Sequence, residues 1–370
     1  MKSPTAFPLC FSLSLSLLSA SGAGGAATAA VPFPLPDTGQ TNRYTQTFGE
    51  DSDFSASGPA YADNSDGTVT DSVTGLMWQK TDGGEMTWEQ AKEYAGNLQL
   101  GGHRDWRLPT SLELFSILNH EANRPAMNTG FFTRTEAEYW WTDSPRADDG
   151  SKVRVVNAGG GIGAHAKNQT VSAGGERPFH VRCVRGDSRC GAGPELKDNG
   201  DGTVTDQRTG LVWQKVGANR GMTWEEALKY CESLRLTGRD DWRLPNIKEL
   251  RSVSDDRKVQ PSLDKAFFPE AQVAYYWSST SQCNRPERAW FVDFQTGLVS
   301  YADKPEQHLV LAVRGGVAVP ASKVKSPPDL SRFARPGGRP GEGGGPGGGK
   351  GKGDRKKGGP DGGKGGRQTQ

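Results

Sequence analysis

The sequence predicts two tandem α+β domains, each a small antiparallel sheet with two helices, followed by a disordered C-terminal tail. The first observation is an internal repeat, because residues 63–118 and 198–253 share the pattern DNxDGTVTDxxTGLxWQK, then MTWE, then DWRLP. The repeat distance of about 136 residues fits a whole domain better than a solenoid unit. The second observation is the order of elements in each copy, in which a hairpin, two helices and further strands follow one another.

Each copy opens with a predicted β-hairpin and ends in strands. In the first copy, residues 68–70 and 76–78 flank a turn that ends at Gly75, and Gly210 has the same place in the second copy. The later strands of the second copy are predicted at residues 275–277, at residues 290–294 before a turn at Gly297, and at residues 308–314, which close the domain.

Two helices in each copy begin at capping boxes, in which a side chain at the helix start and another three residues later satisfy each other's backbone amides. The four predicted boxes pair Thr87 with Gln90, Thr110 with Glu113, Thr223 with Glu226, and Asn246 with Glu249. The first helix of each copy also has an apolar face at helical spacing. Its members are Trp88, Ala91, Ala95 and Leu98 in copy one and Trp224, Ala227, Cys231 and Leu234 in copy two.

The N-terminal segment has the pattern of a secretory signal peptide. A basic start at Lys2 precedes an apolar stretch at residues 7–18, and Ala27-Thr28-Ala29 fits a cleavage site. The apolar stretch is too short for a spanning helix, and no later segment is apolar enough to cross a bilayer. A disordered apolar leader is the alternative. We expect a secreted, periplasmic or cell-surface protein without a transmembrane segment.

The remaining boundaries follow from composition. Each copy has a full set of elements, so we expect two separately folded domains. The predicted segments are a signal peptide at 1–30, a Pro-, Thr-, Ser- and Gly-rich linker at 31–58, domain one at 59–187, a spacer at 188–196, domain two at 197–320, and a disordered Gly-, Lys- and Pro-rich tail at 321–370.

Charge is divided unevenly along the chain. The net charge is +2, yet residues 323–370 carry twelve Lys and Arg against four Asp and Glu, which leaves the rest mildly acidic at −6. A flexible tail of charge +8 is expected to contact polyanions through counterion release, with little specificity. A solvated tail without a partner is the alternative, and specific nucleic-acid recognition is not expected.

Four cysteines remain after the signal segment, namely Cys183, Cys190, Cys231 and Cys283. In an exported protein they suggest two disulfides with three possible pairings. No C-x-x-C pair occurs, and none of the five histidines has the same position in both copies. A zinc site is therefore not predicted.

The repeated motifs resemble the DUF1566 family, also called the Lcl C-terminal domain family. The resemblance rests on the run from Asp63 to Lys80, the M-T-W-E and D-W-R-L-P motifs and the closing V-R-C-V-R-G of residues 181–186, and it covers most of residues 63–186 and 198–315. It implies a C-type lectin-like fold, with two helices flanking a small sheet and a long irregular loop region. The collagen-like adhesin after which the family is named is implicated in adhesion to sulfated polysaccharides.

The resemblance also implies a disulfide that neither copy can form. In the family, a cysteine on the first helix and the cysteine of V-R-C-V-R-G look like partners. Copy one has Ala95 with Cys183, and copy two has Cys231 with Ala312. The cysteines must then pair locally, across the domains, or not at all. We favour the local bonds Cys183–Cys190 and Cys231–Cys283 over an interdomain Cys183–Cys231 bond.

The acidic openings at residues 63–67 and 198–202 could suggest calcium. Aligning Gly67 with the glycine of an EF-hand loop puts Ala62 at the first ligand position, and the second copy puts Lys197 there. Neither side chain is a calcium ligand. Asx turns leading into the hairpins explain the same residues, so no metal or other cofactor is predicted, with calcium as the remote alternative.

Matched tryptophans and arginines are expected to be structural. We expect core packing for Trp78, Trp88, Trp106, Trp213, Trp224 and Trp242. Arg107 and Arg243 of D-W-R-L-P are expected to form ion pairs, and an anion site is the alternative. The predicted partners are Asp105 and Asp241, or Asp71 and Asp206.

Candidate ligand contacts lie where the copies differ. Trp140 and Trp290 are less constrained than the matched tryptophans, because the other copy has Tyr276 and Arg154 at those positions. The predicted irregular loops at 142–152 and 278–288 share no sequence, and lectin-like domains place specificity in such loops. The candidate ligand-binding residues are Trp140, Arg146, Arg285, Arg288 and Trp290.

The sequence favours a binding protein over an enzyme. No shared histidine, nucleophile elbow or phosphate-cradling loop occurs in both copies, and Gly159-Gly160-Gly161 does not fit a dinucleotide fingerprint. We expect an exported, non-enzymatic binding protein or adhesin that contacts glycans, sulfated polysaccharide or other surface and matrix polymers. An envelope-associated scaffold with protein partners is the alternative. An enzyme on a lectin-like fold of the sulfatase-activating type is the remote one.

Overall fold

The computed structural model describes residues 33–55, 58–133, 136–171, 179–187, 193–315 and 319–320. The predicted signal peptide, part of the spacer and the predicted basic tail lie outside these residues. Below, copy one means residues 59–187, copy two means residues 197–320, and the strap means residues 33–55.

The strap contains a short 3-10 helix (Asp51–Asp53) and ends in β1 (Phe54–Ser55). Copy one contains β2 (Tyr61–Asp63), β3 (Thr68–Asp71), β4 (Met77–Gln79), α1 (Trp88–Asn97), α2 (Ser111–Ser116), β5 (Tyr139–Pro145), β6 (Lys152–Asn157), β7 (Ile162–Ala166), β8 (Phe179–His180) and β9 (Val184–Arg185). Copy two contains β10 (Leu196–Asp198), β11 (Thr203–Asp206), β12 (Leu211–Gln214), α3 (Trp224–Ser233), α4 (Ile247–Ser252), β13 (Tyr275–Ser281), β14 (Arg288–Asp293), β15 (Leu298–Asp303), β16 (Val313–Gly315) and β17 (Val319–Pro320). The α+β class is therefore confirmed.

The local elements agree with the sequence patterns. All four capping boxes are formed, with each N-cap side chain accepting from the N3 amide and each N3 side chain accepting in return. The hairpins β3–β4 and β11–β12 turn at Gly75 and Gly210, both at positive φ. The six matched tryptophans are buried in the core, as predicted.

The described strands form a two-stranded pair of β1 with β17, two four-stranded sheets and one large sheet. The hairpin of each copy extends into a four-stranded sheet, in the order β2-β3-β4-β9 or β10-β11-β12-β16. The large sheet has seven strands in the order β13-β14-β15-β7-β6-β5-β8, so it contains strands of both copies. Residues 142–145 and 278–281, predicted as irregular loop, instead belong to β5 and β13, each of which contains a register shift there.

The two copies meet at the seam, the antiparallel pair of β7 and β15 in which Val299 lies opposite Ile162. These two residues are structural counterparts. Val299 pairs with Val292 inside copy two, and Ile162 pairs with Val156 inside copy one. A strand pair that joins counterpart residues of two repeats places a pseudo-two-fold axis at the pair.

One hydrophobic cluster is shared by both copies. It combines Trp78, Phe115 and Val156 of copy one with Leu250, Val292 and Phe294 of copy two, together with Phe33 of the strap. Each copy keeps a smaller cluster of its own around α1 or α3. The central part of the core therefore belongs to both copies, and this shared cluster argues against independent folding of each copy.

Two counterpart triads face each other across the axis with opposite chemistry. On one side, the His120 ring lies edge-on to the rings of Phe115 and Trp290, each with a centroid distance of 5.4 Å. The same positions on the other side are Arg251, Asp256 and Arg154.

The three side chains of the second triad form a buried ionic network. Asp256 Oδ1 lies 3.3 Å from Arg154 Nε and 2.5 Å from Arg251 Nη2. Ser111 Oγ donates to the other oxygen of Asp256, and Arg154 Nη2 donates to the Thr296 carbonyl at 2.8 Å. The second triad therefore connects the two copies through ion pairs and hydrogen bonds, whereas the first triad connects them through aromatic packing.

The strap is not the predicted linker, because it is largely buried against both copies. Gln40 exchanges two hydrogen bonds with the backbone of Ser281 in copy two, at 2.8 and 2.9 Å. The Tyr44 hydroxyl donates to Glu121 of copy one at 2.6 Å. The Lys248 ammonium donates to the carbonyls of Asp37 and Ser116, at 2.7 Å each, which joins the strap, copy two and copy one. The polar composition of the strap is typical of a linker, but its polar groups form hydrogen bonds with both copies.

The strap also brings a buried carboxylate into copy two. Asp51 Oδ2 accepts hydrogen bonds from Thr38 at 2.8 Å and from Thr280 at 2.5 Å. Burial, and next the negative charge of Asp37, raises the pKa of Asp51 to about 8. The neighbouring Glu50 has its pKa raised to about 7, mainly by burial.

Two predictions about side-chain pairs need correction. Arg107 and Arg243 do form structural ion pairs, but with Glu113 and Glu249, through two contacts each of 2.8 Å and 2.6 Å respectively. The carboxylates that cap α2 and α4 therefore also hold these arginines. The predicted partners Asp105 and Asp241 instead bind Arg185 and Arg314.

The predicted Cys231–Cys283 bond is not formed. Cys183 and Cys231 carry free thiols in separate apolar clusters, so the alternative interdomain bond is absent as well. Cys190 lies outside the described residues. Burial raises the pKa of Cys183 to about 12 and that of Cys231 well above its usual range, which makes both thiols poor nucleophiles.

We predict that the fragment 196–320 does not fold cooperatively on its own. Without copy one and the strap, β15 becomes an exposed edge and the shared cluster loses half of its residues. Urea unfolding of this fragment, followed by near-UV circular dichroism, can be compared with that of residues 31–320. A cooperative transition of the fragment alone would show that the shared core is dispensable.

We predict that Arg154→Ala lowers the free energy of unfolding by about 3 kcal/mol, because it leaves a buried carboxylate and a buried carbonyl less well paired. The matched control is Arg185→Ala, which removes a partly exposed pair with Asp105 and should have a far smaller effect. Urea denaturation measures both. Equal losses in the two variants would contradict a special role for the ionic triad.

We predict that stability falls as pH rises from 5 to 8 and that Asp51→Asn makes this fall shallower. A carboxyl whose pKa is about 8 when folded and roughly 4 when unfolded stabilises the fold fully below pH 4, and this stabilisation is lost as pH rises through 8. The free energy of unfolding is measured in urea at each pH. Asp241→Asn is the control, because the pKa of Asp241 is lowered by Arg314 and the group stays ionised over this range. Parallel pH profiles for Asp51→Asn and wild type would contradict the prediction.

Candidate functional site

A cleft of about 420 Å³ lies at the junction of the two copies, near the seam. We call it the inter-copy cleft. Its walls come from both copies, and most of the side chains are polar. The lining residues used below are Asn123, Arg124, Glu138 and Asn157 of copy one and Gln282, Asn284, Arg285, Trp290 and Tyr301 of copy two.

Glycines in the β6–β7 turn allow copy two to approach copy one here. A Cβ on Gly160 would lie 3.0 Å from the Trp290 ring, and Gly160 has a φ of 109°. A Cβ on Gly161 would lie 2.8 Å from the Val299 carbonyl oxygen. Close packing at the junction therefore explains Gly160 and Gly161, whereas a Cβ on Gly159 would instead meet Asn157 of the same turn.

The copy-two wall is the turn between β13 and β14. The Arg285 amide donates to the Gln282 carbonyl at 2.9 Å, which closes the turn. The Arg285 guanidinium forms no ion pair or hydrogen bond with any residue that the structure describes, and Asn284 beside it is exposed. Arg285 thus offers an unneutralised cation at the cleft.

The copy-one wall holds an ion pair between Arg124 and Glu138. Glu138 Oε1 lies 3.5 Å from Arg124 Nη2 and also 3.5 Å from Asn157 Nδ2. The Arg124 side chain is 61% exposed, so this ion pair is loose and open to solvent. Amide, carboxylate and guanidinium groups therefore face the same hollow.

Two lining residues carry buried polar atoms without a partner in the described part of the chain. They are Oε1 of Gln282, an acceptor, and Nε1 of Trp290, a donor. Most buried polar atoms in folded proteins are hydrogen-bonded, so such exceptions are informative. Both residues line the same cleft.

Of the five predicted ligand residues only Arg285 and Trp290 line the cleft, and Trp290 is itself buried in the shared cluster. Trp140 is 2% exposed and donates to Asp82 at 2.9 Å, so it is a core residue and not a ligand contact. Arg146 pairs with Asp148 outside the cleft.

Arg288 lies beside the cleft without lining it. It pairs with Asp303 and lies over the ring of Tyr301, at 5.2 Å from the centroid. Tyr301, Gln282 and the copy-one wall were missed by the sequence analysis, because only the seam brings them to one place.

The other candidate chemistries find little support among the described residues. These residues contain no group of three or more His, Cys, Asp and Glu that could hold a metal. The acidic openings form Asx turns, in which Asp63 accepts from the Ser65 amide and Asp66 from the Thr68 amide, at 3.0 Å each. Burial lowers the pKa of His120 to about 3, so its ring is neutral. No helix in the described ranges is long and apolar enough to cross a membrane.

The comparison with protein families gives one match, repeated along the chain. The Lcl C-terminal domain matches residues 67–185 and again residues 202–314. Comparison with curated proteins finds no match. The two matched ranges cover more than half of the sequence and correspond to copy one and copy two. The chain therefore belongs to the Lcl C-terminal domain family and contains two copies of that domain in tandem.

Proposed function

We propose that the protein is an exported, non-enzymatic binding protein or adhesin that binds glycans, including sulfated polysaccharide, in the inter-copy cleft. The observation that carries this proposal is the unpaired Arg285 guanidinium in a hollow lined by amides and by Tyr301. Guanidinium groups bind sulfate and carboxylate oxygens through paired hydrogen bonds, and amides suit sugar hydroxyls.

The size and polarity of the cleft agree with a sugar unit. A volume of about 420 Å³ is within the range of small-molecule sites. Its hydrogen-bonding groups include donors and acceptors on both walls, as a polyhydroxylated ligand requires. We further propose that each copy has the C-type lectin-like form of the α+β fold, with the cleft taking its walls from loops of both copies.

The basic tail is proposed to add avidity. Residues 323–370 carry a net charge of +8, and a flexible cation attached beside a binding site raises the local concentration of a polyanion. The cleft supplies selectivity in this proposal and the tail supplies charge.

We predict that Arg285→Ala weakens binding to immobilised heparin. The experiment uses protein ending at Pro320, so that the tail does not mask the effect. Loss of one anion contact should reduce the affinity for heparin about tenfold. It should also reduce the slope of log affinity against log salt concentration by about one. Elution from heparin at increasing salt measures both. Arg104→Ala is the matched control, because Arg104 is an exposed arginine away from the cleft.

Each outcome of this experiment separates the two contributions. Earlier elution of the Pro320-terminated protein than of the full chain assigns the difference to the tail. Identical elution of Arg285→Ala and Arg104→Ala would remove the cleft from anionic glycan binding. Retention of the tail-less protein only by other proteins of the cell envelope would favour a scaffold role.

A further inference from the structure

Copy two exposes an aromatic ring where copy one buries its counterpart. Tyr275 is 47% exposed, whereas the counterpart Tyr139 is 4% exposed. Val273, next to Tyr275, is also exposed, and only Val216 joins them as an exposed large apolar side chain within the described ranges. Tyr139 begins β5 and Tyr275 begins β13, its counterpart strand in the large sheet. The two copies therefore differ in ring exposure at equivalent positions.

The packing around the two rings explains the difference. Tyr139 is stacked on Phe179 and tilted against His165, with centroid distances of 4.9 Å for both pairs. Tyr275 is stacked on Phe291 at 4.6 Å, but His308, at the place of Phe179, meets it edge-on at 90°. One side of Tyr275 is therefore supported by a second ring while much of its surface stays open to solvent.

Tyr275 lines two hollows. One has a volume of about 480 Å³ and is lined by Gln272, Gln307 and His308. The other has a volume of about 370 Å³ and is lined by Arg146 and Ser300 across the seam. Tyr275 and Asp293 line both hollows, so we call the two together the Tyr275 groove.

The Asp293 carboxylate, which lines both hollows, is fixed by one hydrogen bond and keeps one oxygen available to a ligand. Asp293 is the cross-strand partner of Tyr275. Its Oδ1 accepts from the Gln295 amide at 2.8 Å, and its Oδ2 has no hydrogen bond in the described part of the chain.

Arg146 and Asp293 are electrostatic partners across the seam. Two hydrogen bonds to Asp148 fix the Arg146 guanidinium. Burial raises the pKa of Asp293, and the nearby charge of Arg146 opposes this rise. Copy one has neutral Asn157 in place of Asp293, so this combination of groups occurs once.

We propose that the Tyr275 groove is a second carbohydrate-binding site, which takes a hexose unit of a neutral polysaccharide against the Tyr275 ring, with Asp293 and Arg146 as hydrogen-bond partners for its hydroxyls. This inference rests on the proposed glycan-binding function but uses none of the residues argued for anion binding in the cleft. The two hollows that Tyr275 lines provide room for the preceding and following sugar units of a chain.

The chemistry favours a sugar over an apolar protein segment. The exposed apolar surface consists of Tyr275 and Val273, which is small for a protein interface. Around it lie Gln272, Gln295 and Gln307, whose amides can donate and accept hydrogen bonds. A single aromatic ring with amides and one carboxylate around it suits a ligand with an apolar face and hydroxyl edges.

The experiment uses the full chain and immobilised neutral polysaccharides, namely glucan, mannan and xylan, with heparin alongside. Tyr275→Ala is expected to weaken retention on the neutral polymer that binds wild type by at least about tenfold. Tyr275→Phe keeps the ring and should bind as wild type. Asp293→Asn, which imitates copy one, should weaken binding. Val216→Ala is the matched control, because it removes an equally exposed apolar side chain elsewhere.

The outcomes distinguish the groove from the cleft. Binding through the groove should be nearly independent of salt and unaffected by Arg285→Ala, because stacking and neutral hydrogen bonds release no counterions. Retention of wild type by heparin but by none of the neutral polymers overturns the groove and leaves the cleft proposal standing. Wild-type binding by Tyr275→Ala, or equal loss in Tyr275→Ala and Tyr275→Phe, also overturns it.

Discussion

The antiparallel pairing of β7 with β15 is the constraint on which the rest of the structure depends. It joins counterpart residues Ile162 and Val299, and so places the two copies about a pseudo-two-fold axis. From this single contact follow the continuous seven-stranded sheet and the cluster shared by both copies. The seam also decides where the β6–β7 turn of copy one meets the β13–β14 turn of copy two. The inter-copy cleft and the smaller hollow of the Tyr275 groove each take their walls from both copies, whereas the larger hollow is lined by copy two alone.

The two copies differ in sequence at the junction, so equivalent positions on the two sides of the pseudo-two-fold axis carry different side chains. On one side of the axis Arg154, Asp256 and Arg251 fill the junction with charge and hydrogen bonds. On the other side the same positions hold Trp290, His120 and Phe115, which pack as rings. Both sides leave some buried polar atoms without a hydrogen-bond partner in the described part of the chain, namely Nε of Arg154 and Arg251 on the ionic side and Nε1 of Trp290 on the aromatic side. The inter-copy cleft lies on the aromatic side, where Trp290 forms part of its wall.

Sequence reasoning succeeded where structure is local and failed where it depends on the seam. The capping boxes and hairpins involve residues a few positions apart, so Thr87 with Gln90 or the turn at Gly75 can be recognised directly. By contrast, β7 begins in a glycine-rich run without a strand pattern. The strap buries Glu50 and Asp51, two carboxylates that composition assigns to solvent. Trp140 and Trp290 looked equally available from sequence, yet both are buried in the shared cluster, and of the two only Trp290 also lines the cleft.

The cysteines show how far tertiary association can replace a covalent link. Each copy retains one half of the disulfide that the family pattern implies, with Cys183 packed in the cluster of Ala95 and Cys231 in that of Ala312. A small domain that loses such a bond loses a restraint on its unfolded state, which must be offset by other interactions. Here the shared cluster, the ionic triad and the strap hold each copy against the other. Because burial keeps both thiols protonated, the remaining cysteines act as small apolar residues in the core. The two copies therefore stabilise one another through the same interface that forms the proposed binding sites.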